Sequence, residues 1–326
     1  RYPDWVDAWN ADNPAAAYAG GSWELTHPAS DYLFGNADDR VYETDFPGFG
    51  RTFPHDYGTV DDKYFTTRLT LSPAGDELTL DFAKALIVNE RIGQDAVPDY
   101  LAISFSSTDY VGHLFGASSL ESEDNLVRLD RTLAELFAFV DEKVGLQNTL
   151  IVLSADHGQP EVPGHLHELG IQEAAHFDTD ALDKAPAIAA LKQRFGIGEA
   201  LIKAFFQPYL YLDRELIREK GLDQAAVEQA VAEELQKFDG IATAVSASAL
   251  RTGGLPDTLL MRSILRNFHP QRSGDVILVF EPNVFINDFD GLTVASTHGS
   301  PWRYDTFVPV MFAGDGIEAR TVSRPV

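Results

Sequence analysis

The chain has 326 residues, 44% of them hydrophobic and 23% charged, the balance of a globular protein able to bury a sizeable core. Against 25 basic residues stand 50 acidic ones, a net charge of −25, and so acidic a chain repels a phosphate backbone, which excludes nucleic-acid binding through counterion release. There is no cysteine, which excludes disulfides and thiolate metal sites; any metal falls to His, Asp or Glu, a donor set suited to zinc, manganese or magnesium.

The first 60 or so residues are turn-rich, with Asn13-Pro14, Gly20-Gly21, His27-Pro28 and Phe46-Pro47-Gly48-Phe49-Gly50. Their aromatics follow no period, so they read as long surface loops, with Trp5, Trp9, Trp23 and Phe53 as packing residues. From Gly75, Leu78, Phe82, Leu86 and Ile87 fall at helical spacing, with Asp76 and Glu77 placed to open the helix. Residues 100–105 read as a buried strand. Leu126, Leu129, Leu133, Leu136 and Val140 line one face of the next helix, and Gly145 stops it. A second strand follows at 149–154. Strand, helix, strand at this spacing predicts a right-handed βαβ unit in a largely parallel sheet.

Residues 160–272 differ, with helical patterns over 182–195 and 223–238 and a short strand at 209–212, and read as an inserted α+β cap. Strand pattern returns at 275–280 and 308–312. The expected organisation is therefore an α/β core from 1–159 and 273–326, interrupted by a 160–272 cap. No apolar run approaches the roughly 18 residues of a membrane helix.

Chemistry concentrates at strand ends, where ligands bind in such sheets. Asp109 and His113 are four apart, so one helical turn puts their Cβ atoms about 5–6 Å from each other on one face, the placement of two ligands on one ion. Asp156 and His157 are adjacent, and share an ion only if the chain turns, which Gly158 eases. Far downstream, His298 sits in a turn-forming Ser296-Thr297-His298-Gly299-Ser300-Pro301. His165, His167, His176, His269, His27 and His55 read as ordinary polar residues, while Trp302 and Tyr304 are candidates for a pocket wall.

In order and spacing, Phe105 to His113, Asp156-His157-Gly158 and Thr297-His298-Gly299-Ser300-Pro301 followed by Val308-Pro309 resemble the alkaline phosphatase superfamily. The likeness is to its type I phosphodiesterase/nucleotide pyrophosphatase branch, and within that to periplasmic phosphate-irrepressible alkaline phosphatases with a threonine nucleophile. The resemblance implies an alkaline phosphatase-like α/β fold, its largely parallel central sheet flanked by helices. It implies two Zn2+ ions, one held by Asp109, His113 and His298, the other by Asp156 and His157 together with an upstream aspartate and the nucleophile. Neither of those last two residues is identifiable in this chain, so they are expected upstream of Arg1, with the phosphate-gripping Lys and Arg. The implied activity is hydrolysis of small-molecule phosphate monoesters through a phosphothreonine, in a periplasmic or secreted protein. The alternatives are a phosphodiesterase or nucleotide pyrophosphatase, a non-catalytic metal-binding fragment, or a related phosphonate hydrolase or sulfatase. A missing sheet strand would leave an apolar edge, favouring self-association or a retained N-terminal piece.

Overall fold

A computed structural model describes residues 1–289 and 291–323. It divides into two compact units, one formed by Arg1–Asp156 with the C-terminal stretch from Val308, the other by His157–Phe307.

In the first unit the opening segment is more ordered than its turn-rich sequence predicts. It contains helix α1 (Asp4–Asp12) and strands β1 (Ser22–Trp23) and β2 (His55–Asp56), which pair antiparallel. Trp23 is fully buried, and its ring packs against Phe49, Phe53 and His55. The aromatics thus build a core, as packing residues should. The buried Asp124 carboxylate beneath them accepts hydrogen bonds from the Trp23 indole (2.6 Å), the Tyr32 hydroxyl (2.5 Å), the Thr26 amide (2.7 Å) and Arg128 Nε (3.0 Å). Burial alone would raise its pKa, but the bonds from Tyr32, Trp23 and Thr26 outweigh burial and hold it below the usual carboxylate value.

His55 and Glu121 are both buried, 3.3 Å apart, a spacing that invites an ion pair. Their chemistry says otherwise. His55 Nδ1 faces the Phe49 carbonyl at 3.0 Å and must donate to it, so Nε2 is the acceptor, and only a protonated Glu121 can donate there. Burial pushes the same way, taking His55 down to about 4 and Glu121 well above the normal range. The pair is neutral.

Helices α2 (Phe65–Thr70), α3 (Pro73–Asn89), α4 (Ser107–Phe115) and α5 (Leu120–Lys143) follow. The amphipathic stripes predicted around 78–87 and 126–140 fall in α3 and α5, which meet through Leu80, Ile87 and Leu136. Ser119 caps α5 by accepting the Ser122 amide. Residues 100–105 differ from expectation. Leu101, Ile103 and Phe105 pack onto the α3–α5 cluster while Tyr100, Ala102 and Ser104 are exposed, but no described residue pairs with the segment, so it runs extended without a ladder. The other expected strand is β3 (Ile151–Ser154), which pairs antiparallel with the C-terminal strand Val310–Ala313. Leu150 and Val152 on one side, Met311 and Phe312 on the other, are each more than half exposed.

The second unit is built on a sheet of order β5-β6-β8-β7, all antiparallel: β5 (Ile202–Phe206), β6 (Tyr209–Leu212), β8 (Val276–Phe280) and β7 (Ile241–Ser246). After the short α6 (Pro163–Glu168), one face is covered by α7 (Pro186–Arg194), α8 (Arg214–Glu219) and α9 (Gln224–Leu235), through Ile188, Ile217, Val227, Val231 and Leu235. The other packs on α10 (Ala247–Thr252) and α11 (Leu259–Asn267), through Leu250 and Ile264. Strand β8 is buried along its length because both faces are covered, and it reads as a continuous apolar run for that reason. Its partners are β6 and β7, all within the unit His157–Phe307. A parallel pair, β4 (Ala175–His176) with β9 (Val284–Phe285), completes the main strand pairings.

Candidate metal centre

The first unit places two of the candidate ligands on α4. The helix is fixed at its start: the Ser107 amide donates to Asp76 Oδ1 (3.0 Å), and Asn125 Nδ2 on α5 donates to Thr108 Oγ1 (2.9 Å). Asp109 lies in the first turn, where the helix dipole favours a carboxylate, and His113 in the last. As the four-residue spacing predicts, they face each other, Asp109 Oδ1 to His113 Nε2 being 3.4 Å, with the imidazole buried and the carboxylate partly open. Two ligands about 2.0–2.1 Å from a tetrahedral zinc are separated by about 3.3–3.4 Å, so this spacing matches an edge of such a shell. The donor set, one carboxylate oxygen and one imidazole nitrogen, also fits the ion.

Asp156 and His157 follow β3 in a bend, the turn that a shared ion requires. Gly158 permits it for a reason the sequence did not disclose. Its φ is not left-handed; a Cβ there would collide with the carbonyl oxygen of Tyr304.

In the second unit His157 and His298 stand face to face, ring centroids 3.5 Å apart and planes within 15°. His157 Nδ1 lies 2.9 Å from the Gly158 carbonyl and must donate to it, which makes Nε2 the ring nitrogen able to act as a ligand. Gly299 turns the chain after His298 with φ +105°, in the region that favours glycine. Gln207, at the β5–β6 turn, donates from Nε2 to the His298 carbonyl at 2.9 Å. Asp305, which sequence patterns did not single out, accepts both the amide and the hydroxyl of Ser300. Burial raises its carboxyl above the usual range, and the Ser300 bonds oppose this.

The remaining histidines have local tasks. His167 and His176 donate to the carbonyls of Ala174 and Ala295, and His165 faces Glu168 at 3.3 Å. Trp302 is anchored in the fold, its indole donating to the Phe280 carbonyl.

The model of the type I phosphodiesterase / nucleotide pyrophosphatase family matches residues 2–301. A protein of Myroides odoratus named a calcium-transporting ATPase is 34% identical over 99% of this chain and 58% of its own length. Alkaline phosphatase PhoV of Synechococcus elongatus is 31% identical over 98% of the chain and 56% of its own. Alkaline phosphatase PafA of Elizabethkingia meningoseptica is 30% identical over 99% and 58%. The crystal structure of wild-type alkaline phosphatase PafA superimposes with a TM-score of 0.86 at 29% identity, covering 100% of this chain and 61% of that one. The chain therefore spans a little more than half the length of each of these relatives.

Proposed function

We propose, for a chain that belongs to the type I phosphodiesterase / nucleotide pyrophosphatase family and has an alkaline phosphatase-like α/β fold, a role as the metal-binding part of a zinc-dependent phosphatase acting on phosphate monoesters. The observation that carries the reading is the 3.4 Å between Asp109 Oδ1 and His113 Nε2, an edge ready for an ion. Asp109, His113 and His298 would hold one zinc, and Asp156 with His157 would supply two ligands to a second. When bound, such ions lower the pKa of a coordinated hydroxyl and offset charge on phosphoryl oxygens. The chain's own part is to orient them: α4 presets the Asp109–His113 spacing, and the hydrogen bond from His157 to Gly158 sets the tautomer that ligates. A phosphothreonine intermediate, on a threonine matched by no identified residue here, and a periplasmic or secreted location belong to this reading through the resemblance alone. No helix among the described residues is long and apolar enough to cross a membrane.

Monoesters are favoured because PhoV and PafA are named alkaline phosphatases. The family's own description favours a second reading, cleavage of diesters or nucleotide pyrophosphates on the same metals. Elemental analysis of the zinc-loaded chain tests the metal claim: bound zinc that falls on Asp109→Ala supports it, and no zinc retained by the unaltered chain defeats it. Comparing turnover of p-nitrophenyl phosphate with that of bis-p-nitrophenyl phosphate separates the two substrate classes.

A further inference from the structure

We infer that Asp305 is the positioning residue that holds the His157 and His298 turns side by side. The inference rests on the metal reading above and deepens it. The two imidazoles stack, yet they come from turns far apart in the sequence. Asp305 touches both turns. Its Oδ2 accepts the Ser300 amide at 2.7 Å and the Ser300 hydroxyl at 2.6 Å, closing the turn that His298-Gly299 begins. Its main-chain carbonyl accepts the Gly158 amide at 2.8 Å, fastening the turn that carries His157.

The clamp has a firm base. Asp305 is 4% exposed, so water competes little for its bonds. It lies in the short helix α12 (Arg303–Thr306), and the Trp302 indole at the head of that helix donates to the Phe280 carbonyl at the end of β8. The Gly158 backbone lies against Tyr304 so closely that only glycine fits, which brings its amide within reach of the Asp305 carbonyl. The carbonyl that reaches Gly158 belongs to the main chain, so the carboxylate acts on that bond indirectly: by closing the Ser300 turn it holds the 303–306 segment, and with it the carbonyl, in place.

The experiment uses the full 326-residue chain, with zinc affinity read by chelator competition and the Gly158 amide followed by hydrogen exchange. Asp305→Ala is expected to weaken zinc roughly 10–100-fold, the usual effect of losing a residue that orients a ligand, and to speed Gly158 exchange at least about tenfold, because the turn it closes no longer holds the 303–306 segment in place. Asp305→Asn keeps an oxygen acceptor and should recover most of the affinity, while Ser300→Ala, which deletes only the hydroxyl bond, should fall between. If Asp305→Ala merely lowers the melting temperature, with zinc affinity and Gly158 exchange as in the unaltered chain, the inference is wrong. If zinc affinity is indifferent to His298→Ala, the metal reading fails instead, and Gly158 exchange in the Asp305 variants still decides whether the clamp exists.

Discussion

The imidazole rings of His157 and His298 have centroids 3.5 Å apart and lie nearly parallel, so two turns from distant parts of the chain are brought into stacking contact. Main-chain hydrogen bonds and close backbone packing hold such turns in register, because flexible side chains in contact would let the rings slide. Function at this site should therefore respond to changes in the turns as well as in the histidines.

Replacing His298 with alanine should remove one of three ligands of the first ion. We expect tight zinc binding there to be lost, with one equivalent missing by elemental analysis of the dialysed protein. Unchanged stoichiometry would mean that His298 ligates nothing.

At Gly158 the outcome should come from the backbone. A Cβ has no room beside the Tyr304 carbonyl, so Gly158→Ala must shift the turn and weaken its bond to Asp305. Zinc affinity should drop although no ligand is altered. An alanine variant with native affinity and native melting would show that the turn has slack.

Asp124→Ala probes the first unit. It strands the buried Trp23 indole and Tyr32 hydroxyl, while Arg128 keeps the Glu24 carbonyl and Glu77. Each buried donor left without its acceptor costs about 1–3 kcal/mol, to be read from the urea midpoint at constant m-value. A loss below about 1 kcal/mol would contradict the role assigned to this carboxylate.

His55 supplies a pH dependence. Its folded pKa, about 4, lies below the unfolded 6.5, so the unfolded chain takes up the proton first as pH falls. Its contribution is fully present above pH 6.5 and is lost between 6.5 and 4, about 3 kcal/mol over that range. Glu121, protonated beside it, works in the opposite sense above the ordinary carboxylate value, so the slope is read as a difference: the stability gap between the unaltered chain and His55→Gln should narrow by about 3 kcal/mol as urea midpoints are followed from pH 7 to 4. Parallel curves for the two proteins would refute the assignment.

The exposed Leu150, Val152 and Phe312 share one face of the β3 pairing and form an apolar surface of the kind that drives association. Light scattering should show concentration-dependent self-association that Phe312→Lys reduces. A monomer at every concentration would argue that this surface is tolerated in water.

What the amino-acid order settles alone is mostly helical. The Asp109–His113 pair, and helices α3, α5 and α9, follow from contacts three and four residues apart, which are written locally and survive any tertiary arrangement. The motif order also carried the family and the metal-ligand candidates. Strand pairing is different, because a ladder partner lies anywhere in the chain and apolar alternation does not name it. Residues 100–105 have the composition of a strand yet form no ladder among the described residues, and 276–280 joins β6 and β7 in the second unit. The reason for Gly158 and the part played by Asp305 were equally hidden: one is glycine because of a carbonyl about 150 positions away in sequence, and the other looks like an ordinary acidic residue until its bonds are seen. Local periodicity carries no information about such long-range contacts, so only the folded chain could decide them.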